Sequence, residues 1–223
     1  MEQQKNEQIP LELSSQLISI ITTEHYNLQT GRSMTISEAN GRSSLFVGAV
    51  SSGLVALALV GQISHLGTAF FVFSLVVIPT LFLMGLITFE RVLQSGTADI
   101  LYARGISRIR HLYLEYAPQM QPYFILSTHD DAGETFRHQE LMSTSWWQIF
   151  LTMAGMIAVI NSVLVGSFVG VLLVLFTLPL WACTSAGVGA FLVSIGIHQR
   201  YQWGQWMRLE HTLPVLFPSQ PRQ

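Results

Sequence analysis

His129-Asp130-Asp131, Glu134 and His138 gather imidazole and carboxylate groups in one short stretch. Such side chains are what a divalent metal would use. Glu134 and His138 are four apart, but the spacing matches no zinc or calcium motif. The stretch therefore reads as a solvated loop. Arg104, Arg108 and Arg110 form a second cluster. Guanidinium groups at this spacing bind anionic lipid headgroups or a small phosphate-bearing ligand. The plainer alternative is that they anchor the chain at a membrane surface and snorkel. Glu24 and His25 either face a ligand or form a polar helix face.

Enzyme signatures are absent. The sequence holds no Walker loop, no GxSxG, no HExxH and no GxGxxG. Ser, His and Asp occur without a spacing that specifies a triad. Cys183 is the single cysteine, so neither an intrachain disulfide nor a cysteine-rich metal site can form. These residues imply no catalytic set, no resident metal and no cofactor.

What surrounds these clusters is a chain poor in charge. Of 223 residues, half are hydrophobic and only 11% are charged. An ordinary soluble domain has roughly 25% charged residues. The formal charge of −2 gives no basic bias toward a nucleic-acid polymer. No charged residue occurs between Arg42 and Glu90, or between Glu140 and Arg200, gaps of 47 and 59 residues. A membrane span needs about 20 apolar residues, so each gap holds two. The expected fold is all-α: four transmembrane helices in two hairpins, plus cytoplasmic amphipathic helices.

The expected spans are 43–60 and 68–89, joined by a turn within Gly61–Gly67, then one ending near Val165 and one over 168–197. Trp146-Trp147 suits an interfacial belt. Gly166-Ser167 is the expected second turn, with Asn161-Ser162 as its rival. The organisation follows: 1–42, an N-terminal segment with an amphipathic helix ending near Gly31 and a second short helix from Thr35; 43–89, the first pair of spans; 90–145, a helical segment; 146–198, the second pair; 199–223, a tail. Residues 1–9 read as disordered. Ala98–Tyr116 reads as an amphipathic helix stopped at Ala117-Pro118. All Lys and Arg lie outside the two short turns, which places both termini in the cytoplasm. No signal peptide is expected ahead of the first apolar run.

Inside the spans there is no Asp, Glu, Lys or Arg. Ion-coupled carriers and voltage sensors usually need such charge. The polar residues left are Ser51, Ser52, Ser74, Thr80, Asn161, Ser162, Thr184, Ser185 and Ser194. They either bond between helices or line a narrow pore. Small residues (Gly48 with Ser52; Ala182, Ala186, Ala190, Ser185 and Gly189) form stripes for close helix contact, within one chain or between copies. Pro79 and Pro179, in VVIPTLF and FTLPLWA, are candidate hinges and suggest a two-fold repeat.

The blocks TTEHYNLQTGRSMTISEANGRSSLFVGAVSSGLVALALVGQ, FERVLQSG, YARGISRIRH, PYFILSTHDD, AGMIAVINSVL and HQRYQ resemble a widespread bacterial family of integral membrane proteins with no assigned function. That resemblance covers most of residues 20–202 and implies a bacterial inner-membrane location. Glu38-Ala39-Asn40-Gly41-Arg42-Ser43-Ser44-Leu45, entering the first span, is also similar to the two-span membrane effectors of the SLATT and PycTM types. Those are thought to oligomerise and damage membranes on a nucleotide signal. This chain departs from them in carrying a second pair of spans. The expected function is a non-enzymatic, homo-oligomeric membrane protein, channel-like or a membrane effector gated from the cytoplasm. The alternative is an adaptor recruiting a cytoplasmic protein. The partners implied are the lipid bilayer, further copies of the chain, and either a cytoplasmic protein or a small anionic ligand.

Overall fold

The structure, a computed structural model, describes residues 15–131 and 148–219. The calls on residues 1–9, on Glu134 and His138 and on Trp146-Trp147 lie outside these residues. Among the described residues the regular structure is helical. Helix α1 spans Ser15–Ile63 and α2 spans Thr68–Tyr116. A 3-10 turn follows over Pro118–Tyr123. Then come the short α3 (Gln148–Leu151), α4 (Met153–Leu175) and α5 (Leu180–Thr212). Four of them, α1, α2, α4 and α5, are long and apolar enough to cross a membrane. This supports a multi-pass membrane protein.

Two expected breaks do not occur. The helix expected to end near Gly31 continues through Gly31, Thr35 and Gly41 to Ile63. A mid-helix glycine costs only about 1 kcal/mol, and here it has a packing reason. A Cβ on Gly31 would lie 3.0 Å from the ring of Tyr102. Likewise, Ala98–Tyr116 is no separate helix but the end of α2, which runs on from the second apolar stretch. Its stop at Tyr116, one residue ahead of Ala117-Pro118, falls where expected.

The first turn, Ser64–Gly67, lies inside the expected Gly61–Gly67. Here His65 and Leu66 take positive φ. The second turn does not lie at Gly166-Ser167, nor at Asn161-Ser162. Both pairs are inside α4. The chain turns instead at Phe176–Pro179, with Thr177 at φ 56° and Pro179 capping α5. Gly166 is needed elsewhere, because a Cβ there would lie 2.7 Å from the carbonyl oxygen of Gly187 on α5. Pro79 lies inside α2 whereas Pro179 starts a helix, so the two prolines are not equivalent. The repeat inferred from them fails at this point.

The described chain divides into two compact units. One holds residues 15–32, 100–131 and 215–219. The other holds 33–99 and 148–214. The core of the second is drawn from four helices: Phe46 and Val50 of α1, Leu81 and Phe89 of α2, Ile157, Ala158 and Leu164 of α4, with Ile195 and Trp206 of α5 against them. Its surface carries exposed Leu54, Val76, Ile87, Leu192 and Ile197, the outward apolar face that lipid requires. In the first unit, His25 stacks on Tyr113 at 6.2 Å between ring centres, and Leu28 packs over Gly105.

Candidate functional site

The second unit contains a polar seam between α4 and α5, built by helical repetition. Ser194, His198 and Gln202 recur every four residues and so share one face of α5. All three are buried, as are Asn161 and Ser162 of α4. Ser162 Oγ donates to the Ala158 carbonyl at 2.7 Å and lies 3.1 Å from Ser194 Oγ. His198 Nδ1 is 2.8 Å from the Ser194 carbonyl. A carbonyl only accepts, so Nδ1 carries the proton, and in the neutral ring Nε2 is left as an acceptor. Gln202 Nε2 donates to Thr152 Oγ1 at 3.1 Å, and Thr152 caps α4 by accepting from Gly155 N.

Several atoms of this seam have no hydrogen-bond partner: both amide atoms of Asn161, His198 Nε2 and Gln202 Oε1. An unsatisfied buried polar group costs about 1–3 kcal/mol, and more where no water can reach. The seam is covered by α2. Gly85 is pressed so closely on Asn161 that a Cβ there would overlap Oδ1, and it would stand 2.8 Å from Phe46 Cζ. One turn on, Phe89 meets the His198 ring edge-on at 5.0 Å.

The polar candidates from the sequence thus separate. Asn161 and Ser162 face inward and are fully buried, and Ser162 meets Ser194. Ser51, Ser52, Thr184 and Ser185 are exposed. Thr184 and Ser185 spend their hydroxyls on their own helix, donating to Leu180 and Ala182 carbonyls. Ser51 and Ser52 find no partner among the described residues. His198 and Gln202 were outside the expected fourth span, which stopped at Ile197. The four-residue spacing of Ser194, His198 and Gln202 was the signal that could have found them.

The first unit contains a carboxylate clasp. Asp130 is fully buried, not a solvated loop residue. Its carboxylate accepts from Arg108 Nε at 2.7 Å, from Leu216 N at 3.1 Å and from Phe217 N at 2.8 Å. Its own N–H donates to the Phe217 carbonyl, and Asp131 Oδ2 accepts from Ser219 N. The Phe217 ring stacks on His111 at 3.9 Å. Burial alone would raise the Asp130 pKa. The N–H groups of Phe217 and Leu216 and the Arg108 guanidinium outweigh it and hold the carboxyl below its usual range. Among the described residues no group of His, Cys, Asp and Glu is arranged to hold a metal.

The three arginines do not act alike. Arg104 is almost completely buried and Arg108 serves Asp130. Arg110 is half-buried, and burial and then Arg32 lower its pKa. His25 accepts from the Gln29 amide at 2.8 Å. Burial, and then the charge of Arg110, lower the His25 pKa below 6.5. The folded state therefore resists protonation that the unfolded chain accepts. The packing of His25 on Tyr113 is at full strength above pH 6.5 and weakens as pH falls from there toward the lower folded value. Arg110→Gln is expected to shift the His25 titration upward, measured by NMR of labelled histidine. An unmoved or lower midpoint would refute the coupling.

Comparison with family models, with curated proteins and with solved structures finds no match to this chain.

Proposed function

We propose that the protein is a non-enzymatic, homo-oligomeric channel or membrane effector of the bacterial inner membrane, gated from the cytoplasm. In this reading the four spans form two hairpins with both termini cytoplasmic, which the confinement of Lys and Arg to three segments supports. The observation that carries the reading is the α1 face of Gly48, Ser51 and Ser52. It lies in an apolar stretch, is exposed, and holds two hydroxyls without partners among the described residues. A hydroxyl facing hydrocarbon gains from a second copy or from a wet pore. Cytoplasmic gating is supported by the Arg and His side chains of residues 104–111, in the segment that the confinement of Lys and Arg points to the cytoplasm. The resemblance to membrane effectors agrees with this, and Arg110 supplies a positive charge for a small anionic trigger.

Purified full-length protein in planar bilayers is expected to give discrete current steps, and Ser51→Leu with Ser52→Leu to lower them several-fold. Silence from verified oligomers under every cytoplasmic ligand tried would overturn the channel reading. An adaptor role has one observation of its own. Tyr123 and Ile125 of the first unit are 74% and 96% exposed in an apolar run. Recovery of one stoichiometric soluble partner, lost on Ile125→Asp, with no ion flux, would favour it.

A further inference from the structure

We infer that each protomer contains a water-binding site at Asn161, entered along His198 and Gln202 and shut in this conformation by α2. Nothing in the oligomeric reading requires it, because the site lies inside one four-helix unit rather than between copies. The seam runs from Thr152 and Gln202 through His198 and Ser194 to Ser162 and Asn161, about 12 Å along α5 at 1.5 Å per residue. Along it the protein presents an acceptor at Gln202 Oε1, an acceptor at His198 Nε2, and both a donor and an acceptor at Asn161, all without partners. A small molecule that both donates and accepts completes this set, and water is the smallest that does.

The cover is specific. Gly85 has no side chain to place between α2 and Asn161, so the helix closes directly on the amide. Phe89, on the same face of α2, closes on His198. Withdrawal of α2 by the width of a water molecule would hydrate Asn161 and His198 together. On the other side of Asn161 the path ends, because Leu164 is buried and Gly166 is in backbone contact with Gly187. With α2 withdrawn, the site would be a blind pocket opening toward the Gln202 end.

The test is thiol labelling of the full-length protein in sealed vesicles, which needs no current. With Cys183→Ala as background, single cysteines are placed by Asn161→Cys, His198→Cys and Leu164→Cys, and a membrane-impermeant methanethiosulfonate is added on the cytoplasmic side. Positions 198 and 161 are expected to react at least tenfold faster than 164. Gly85→Ala, which wedges α2 away, is expected to speed labelling at 161 by a further tenfold. Equal rates at 161 and 164, with and without Gly85→Ala, would overturn the inference. Should the cysteine variants fold poorly, Asn161→Leu decides. An unchanged or higher Tm is expected, since no protein partner is lost, and a fall of several degrees would show that the amide is a structural partner. Labelling at 161 without conductance would remove the channel reading and leave the site standing.

Discussion

Asp130→Ala is expected to detach residues 215–219 and to destabilise the first unit by about 3–5 kcal/mol, the range for removing one partner of a buried charge pair. The loss is large because three donors depend on one carboxylate. Arg108 Nε and the N–H groups of Leu216 and Phe217 all lose their acceptor together. The lower end is the better guide, since the Arg108 side chain is 30% exposed and water can reclaim it. The stacking of Phe217 on His111 would go with the tail. Limited proteolysis reads the effect directly. Wild type should resist cleavage near Leu216, while the variant is cut there at least tenfold faster. A pH series adds a second arm. The folded pKa of Asp130 is depressed, so its contribution is complete above the usual 3.8 and is lost as pH falls through the lower folded value. Wild-type tail protection should thus hold at pH 5 and fail only in stronger acid, with the variant indifferent. Equal protection of the tail in both proteins would show that the clasp has been misjudged.

What was legible in the sequence was whatever depended on local composition. Two gaps in charge foretold four apolar helices, and Pro118 foretold the end of α2. Glycine was the residue type that misled, because its two uses look alike in sequence. Gly31 was read as a helix end and Gly166 as a turn, yet each serves a close approach of helices whose partner, Tyr102 or Gly187, lies on another helix. The true second turn had its own mark in Thr177-Leu178-Pro179, since a proline just past a helix forbids its continuation. His198 fell outside the expected span because that span stopped at Ile197, ahead of Arg200, whereas the helix continues to Thr212, and the seam was hidden with it. Asp130 had no local signal at all. Its partners at 216 and 217 are 86 and 87 residues away, and nothing in His-Asp-Asp distinguishes a solvated loop from a buried anchor.

The close approach of α4 and α5 sets the second large effect. Gly187→Val is expected to cost about 3 kcal/mol, the upper end for overpacking a close-packed contact. In lipid there is little hydrophobic drive between helices, so backbone proximity carries much of their association. A Cβ on Gly187 would lie 2.8 Å from the Gly166 carbonyl oxygen, and one on Gly166 2.7 Å from the Gly187 oxygen. Both obstacles are backbone, which cannot rotate aside as a side chain can. The helices must separate, and the separation reaches Ser162 and Ser194 because they belong to the same contact. Gly189→Val is the control, two residues away on α5 with nothing within 4 Å of its Cβ. Unfolding of both variants in one detergent should show a marked loss for position 187 and at most a few tenths of a kcal/mol for 189, the size usual for exposed sites. A larger loss at 189 than at 187 would mean that the exposed face of α5, with Thr184 and Ser185, is itself buried against another copy, and would transfer the weight of the assembly to that face.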